Sequence, residues 1–211
     1  MRSAIFIDGA NLHLTVSCLG IELDYARLLR TLRGKASSAQ AFYYVALSDT
    51  QANGSINRLT DWLAYNGYIV VAKPIAETID GFGRRRFKGS IDVDLAVAAM
   101  AMAERVDAMT LVSGNGAYRS LIGAVQRKGV RVSVASTIKT HPPIIAEELR
   151  RQADDFIDIG AIADKIRRVS IANVGLIEAA EESAGDHADA FASPAGRKIA
   201  SSPISGRKEQ I

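Results

Sequence analysis

The chain has 211 residues, 48% hydrophobic and 23% charged, the balance of a globular protein rather than a disordered or fibrous one. A single cysteine, Cys18, excludes an intramolecular disulfide, and one Cys with three His leaves too few soft ligands for a structural zinc site. No apolar run approaches the roughly 20 residues of a spanning helix, and residues 1–8 meet an acid too early for a secretory signal, so the expected setting is the cytoplasm, away from membrane.

Charge is uneven along the chain. Residues 170–211 carry six acids and four Lys or Arg, a net of −2, against 22 bases and 17 acids over residues 1–169, a net of +5. A mildly basic body is compatible with a phosphate-rich partner without requiring one.

Residues 3–7 are an apolar run ending at Asp8. Asp24 predicts an N-cap for a helix over 25–33, with Leu28, Leu29 and Leu32 on one face and Gly34 as its stop. Residues 40–47, with Phe42, Tyr43, Tyr44 and Val45, predict a strand. Residues 53–66 predict a helix with Ile56, Leu59 and Leu63 at helical spacing, closed by Gly67, and 68–72 the next strand. A loop or hairpin rich in Gly and Arg is expected over 77–88, then an Ala-rich helix over 92–105. Strand 109–113, helix 118–128 closed by Gly129, and strand 130–135 follow. Helices over 144–153 and 162–169 flank a short apolar segment at 156–159.

Strands alternating with helices argue for a parallel sheet covered on both faces, and the apolar runs lack strict alternation, as doubly buried strands should. Residues 1–169 are therefore expected as one domain. Beyond Ser170, Ala, Ser, Gly and isolated Pro dominate, and 170–211 reads as a largely disordered tail that cannot offset its own ordering entropy.

In an open parallel sheet, ligands bind beyond the carboxyl ends of the strands, near the topological switch point. The first strand delivers Asp8, Gly9, Ala10 and Asn11 there, and the strand ending at Val112 delivers Ser113, Gly114, Asn115 and Gly116. Asp92 and Asp94 fall in the first turn of the Ala-rich helix. Each acid also has an ordinary use, Asp8 as a turn former or cap and the other two as acids suited to a helix N-terminus. The Ser113–Gly116 turn matches neither the Walker lysine motif nor the dinucleotide fingerprint.

Three segments stand in a telling order: Phe6-Ile7-Asp8-Gly9-Ala10-Asn11-Leu12, Lys88-Gly89-Ser90-Ile91-Asp92-Val93-Asp94-Leu95-Ala96-Val97, and Leu111-Val112-Ser113-Gly114. Together they resemble the NYN family of PIN-like domains, in its bacterial LabA-like branch, over roughly residues 3–160. The resemblance implies a PIN-like, Rossmann-like three-layer α/β/α sandwich with a mostly parallel central sheet. It also implies cleavage of RNA dependent on Mg²⁺ or Mn²⁺, a hard cation held by carboxylates and waters that activates water and neutralises charge on the phosphate. By resemblance, Asp8 and Asp92 match two acidic positions and Asn11 a polar partner. The implied catalytic set is Asp8, Asp92 and Asn115, with Asp8 and Asp92 toward the metal; Asp94, one helical turn before Ala98 and near the same helix face, is a further candidate metal ligand.

The chain departs from that pattern where the family carries acids. Ala98, Asn115 and Ala117 stand at three such positions, and only Asn115 retains a side-chain oxygen. A site so reduced should hold a divalent ion weakly. This points to impaired hydrolysis, whether by natural divergence into a pseudo-nuclease or by deliberate inactivation, with a non-catalytic RNA- or protein-binding module as the alternative on the same fold.

Arg84, Arg85, Arg86 and Lys88, beside Phe82 and Phe87, form a basic segment with interleaved aromatics, suited to gripping and stacking a single strand. Ser113 and Arg119 are further candidates for a phosphate contact. RNA is the expected partner; self-association into a homo-oligomer stays open. Trp62 is expected to pack a helix and Cys18 to be a small buried residue.

Overall fold

The computed structural model describes residues 1–34, 38–48, 54–79, 85–88 and 91–169. In chain order the elements are β1 (Arg2–Asp8), α1 (Gly9–Cys18), α2 (Tyr25–Arg33), β2 (Ser38–Ser48), α3 (Gly54–Tyr65), β3 (Tyr68–Ile79) and β4 (Arg85–Lys88). Then follow α4 (Asp92–Met102), β5 (Ala108–Val112), α5 (Arg119–Gln126), β6 (Arg131–Ser136), α6 (Glu147–Gln152), β7 (Asp155–Asp158) and α7 (Ala163–Ile166). The strands form one sheet in the order β4-β3-β2-β1-β5-β6-β7. Six are parallel, and β4 pairs antiparallel with β3 as an edge hairpin.

The topology locates the switch point. The chain starts at β1, steps outward through β2 and β3, then crosses back through α4 to β5 on the other flank of β1. Connections from β1 and β5 therefore leave in opposite directions, opening a crevice at their carboxyl ends. Register brings those ends level, with Ile7 opposite Val112 and Asp8 opposite Tyr44.

Side-chain alternation along the strands divides the interior into two layers. Phe6, Tyr44, Leu111 and Val134 face Leu95 of α4, Ile122 of α5 and Leu149 of α6. Ile5, Ile7, Tyr43 and Val112 face Leu12 of α1, Leu28 of α2, Leu63 of α3 and Ile166 of α7. Leu28, Leu63, Leu95 and Leu149 are fully shielded, and each such burial contributes about 1.5–3 kcal/mol. Phe6 stacks on Phe42 with ring centroids 4.9 Å apart, joining β1 to β2 within one layer.

The architecture is the expected three-layer α/β sandwich; several local expectations need correction. Helix α1 was not anticipated from the sequence. Asp8 caps it, and Leu12 and Val16, one turn apart, carry its buried face. The helix expected over 144–153 begins only at Glu147, because Ile145 and Ala146 donate their N–H groups to the carbonyls of Thr137 and Gly114. The start of the 118–128 helix is a 3-10 turn at Gly116–Tyr118. The last helix is only Ala163–Ile166, since Arg167 bridges to Leu23.

Two single residues also differ. Trp62 lies on the outer side of α3 with 42% of its surface exposed, and Cys18, at the end of α1, is exposed rather than buried. The tail expected over 170–211 lies outside the described residues. Among those described, no helix is long and apolar enough to cross a membrane.

Candidate functional site

Asp8 closes β1 and caps α1, so one carboxylate is both strand end and helix start. Its Oδ1 accepts the Asn11 N–H at 3.1 Å and its Oδ2 accepts the Ser113 hydroxyl at 3.0 Å. Only 7% of the residue is exposed. Burial pushes its carboxyl above the ordinary value of 3.8, and the nearby Asp92 charge adds to the rise. The Asn11 and Ser113 donors oppose that shift without cancelling it.

Asn11 ties α1 to the turn after β5. Its Oδ1 accepts the Gly114 N–H at 2.8 Å, while the Ser113 hydroxyl accepts the Asn115 N–H at 3.2 Å. The two glycines beside these residues permit the approach. A Cβ on Gly9 would sit 2.7 Å from the Tyr44 carbonyl and 2.8 Å from the Tyr43 ring. A Cβ on Gly114 would collide with the Ile144 carbonyl and lie 2.8 Å from Ser136 Oγ. Asp-Gly and Ser-Gly thus recur at the strand ends because two backbones meet there.

Asp92 enters from the other layer, in the first turn of α4, and its Oδ1 accepts the hydroxyl of the buried Tyr118 at 2.8 Å. Burial and this bond hold the Tyr118 phenol far above its usual range, so it acts as a donor. Asp94 turns toward β3, where Lys73 Nζ meets its Oδ2 at 2.6 Å. Tyr44 is pushed up to about 12, chiefly by burial and then by the Asp94 charge. The expected acids Asp8 and Asp92 are brought close enough to feel each other; Asp94 is drawn into an ion pair.

The three positions expected to carry acids each have a local role or setting. Asn115 Oδ1 accepts the Ala117 N–H at 3.0 Å and caps the 3-10 turn. Ala98 packs partly buried against the α4 layer of the core, and Ala117 is exposed. Among the described residues, no three His, Cys, Asp or Glu side chains come together as a metal site. The expected Asp8, Asp92 and Asp94 set is therefore not assembled around one ion: its members are turned toward Ser113, Tyr118 and Lys73. That leaves Asp8 and Asp92 as the neighbouring carboxylates that could hold a divalent cation, one fewer than the expected set.

Of the proposed substrate contacts, Asn11 and Ser113 are at the crevice, engaged as above. Arg119 is exposed and lines a separate depression of about 500 Å³ with Glu147, Glu148, Arg151 and Gln152, not the Asp8 pocket. Arg84 lies outside the described residues, and Arg85, Arg86 and Lys88 belong to β4, opposite Ile79, Thr78 and Ala76 of β3. Two partners escaped the sequence reading. Tyr118 entered only as the first residue of the expected 118–128 helix, with no role assigned, and Lys73 carried no signal, because only the folded placement of β3 beside α4 brings it to Asp94.

Comparison with known proteins bears on the family and the fold. Searching curated proteins finds no match. A solved structure of a protein of unknown function from Vibrio parahaemolyticus superposes with a TM-score of 0.65 at 24% identity, covering 79% of this chain and 96% of that one; it supports the fold alone. Phosphofructokinase-2 from Escherichia coli, at 14% identity, matches 60% of this chain and 43% of its own, with a TM-score of 0.33 that carries no argument. The NYN domain model matches residues 2–162, most of the chain and all of the crevice just described. On that match, this chain belongs to the NYN family of PIN-like nuclease domains.

Proposed function

We propose that this NYN domain binds RNA by its phosphate backbone at the switch-point crevice and has lost most or all metal-dependent hydrolysis. Relatives of this nuclease class generally use divalent metals. The observation that carries the proposal is the state of the acids around Asp8. Asp8 and Asp92 remain in mutual electrostatic contact, while Asn115 spends its oxygen on the Ala117 N–H and Asp94 faces Lys73. Removing three negative charges weakens the grip on Mg²⁺ or Mn²⁺, yet leaves the strand-end crevice in place and lessens the negative charge that a phosphate meets there.

The test is metal-dependent cleavage of a single-stranded RNA. The unmodified chain is expected to be inert in Mg²⁺ or Mn²⁺ while still binding the strand. Ala98→Asp, Asn115→Asp and Ala117→Asp together are expected to create cleavage that Asp8→Asn then abolishes. Efficient cleavage by the unmodified chain would refute the loss of hydrolysis.

A further inference from the structure

A second concavity adjoins the Asp8 crevice. A cleft of about 820 Å³ opens between α1 and the segment that follows β6, and its lining includes Asn11, whose N–H donates to Asp8, and Asn115, whose N–H donates to Ser113. Its volume lies within the range of small-ligand sites, roughly 300–1,000 Å³. Part of the lining is apolar: Leu14 of α1, half exposed, together with Pro142, Pro143 and Ile144.

The charge of this cleft distinguishes it from the others. Lys139 is the one formally charged residue lining it among those described. The Arg119 depression, by contrast, mixes two arginines with two glutamates, and the depression by Lys128 contains Glu104 and Asp107. The lysine is also held in place. Its backbone N–H donates to Thr137 Oγ1 at 3.1 Å, and Nζ donates to the Gly160 carbonyl at 3.0 Å. An ammonium carries three donors, so that carbonyl uses one of them.

We infer that this cleft seats one nucleotide of a single-stranded RNA next to the phosphate at the Asp8 crevice. The base lies against Leu14 and the Pro142–Pro143 edge, and its phosphate meets Lys139 and the Asn11 amide. This deepens, and rests on, the RNA-binding reading above. A duplex would not fit, because a base must leave its stack to reach an apolar wall.

Cys18 supplies the readout, being the sole cysteine of the chain, exposed, and part of the cleft lining. The full chain is alkylated with iodoacetamide alone, with a single-stranded decamer, with the same sequence as a duplex, or with inorganic polyphosphate, binding being followed separately by fluorescence anisotropy. The decamer is expected to slow Cys18 alkylation about five-fold or more, with duplex and polyphosphate leaving it within about two-fold. Leu14→Ala is expected to weaken decamer binding several-fold and spare polyphosphate; Lys139→Ala should weaken both, and Lys139→Arg restore them. A decamer that binds with Cys18 still fully reactive, or a Leu14→Ala variant that binds it like the parent, overturns the cleft assignment and leaves RNA binding intact. No binding of the decamer at all overturns the RNA reading together with the cleft.

Discussion

Lys73, midway along β3, reaches Asp94 in the first turn of α4, Nζ to Oδ2 at 2.6 Å, across 21 positions of chain. Lys73 lies opposite Ala46 of β2, two residues beyond the Val71 that pairs with Tyr44, and Tyr44 in turn pairs with Asp8. Alternation places Asp8, Tyr44 and Lys73 on the same face of the sheet, beneath the acids of α4. An ammonium therefore occupies the side of the crevice where a bound cation would compete for Asp94.

Lys73→Gln releases that carboxylate. Both partners are about 40% exposed (41% and 42%), so loss of the pair is expected to change stability by under about 1 kcal/mol. Mn²⁺ should bind the variant more tightly than the parent in a calorimetric titration. Equal affinities would show that Lys73 does not hold Asp94 back from a cation.

The raised carboxyl of Asp8 sets a pH signature. Its folded form binds a proton more readily than the unfolded chain, so its contribution to stability improves as pH falls from neutral and levels off below the ordinary value of 3.8. Asp8→Asn removes this dependence. Thermal melts between pH 8 and pH 4 should show the parent gaining on the variant as pH is lowered. A difference that stays constant, or shrinks on acidification, contradicts the raised carboxyl.

Gly114→Ala tests the close approach of the β5 turn to the segment before α6. The new methyl meets the Ile144 carbonyl and the fully buried Ser136 Oγ, and overpacking of this kind costs about 1–3 kcal/mol. Urea unfolding is the measurement. An unchanged midpoint would mean that the turn shifts freely and that the Asn11–Gly114 bond is not a fixed part of the crevice.

The positions expected to carry acids should not tolerate an added carboxylate equally. Asn115→Asp keeps a capping oxygen for the Ala117 N–H, and Asn and Asp cap about equally well, so a change within roughly 0.5 kcal/mol is expected. Ala98→Asp places a charge against the α4 core layer, where an unpaired polar group costs about 1–3 kcal/mol. Melts of the two single variants with and without Mn²⁺ decide this. A larger loss for Asn115→Asp than for Ala98→Asp would reverse the expectation.

Much of the architecture was legible in local pattern. Buried strands betray themselves as short apolar runs such as residues 3–7, and helix ends by residues such as Asp24 and Gly34, because both depend on neighbours in sequence. The strand-end positions of Asp8 and Ser113, and the absence of charge at Ala98, Asn115 and Ala117, were readable for the same reason. Packing between layers decided what these residues do. Asn11 meets Gly114 across 103 positions, Tyr118 meets Asp92 across 26, and Lys73 claims Asp94 across the β3–α4 contact. Helix α1 was hidden because its single buried face is short, and Cys18 and Trp62 proved exposed because helix rotation against the sheet, not residue type, sets which side faces water. Hydrogen-bond partners far apart in sequence follow from strand register and helix placement, and those exist only once the sheet has assembled.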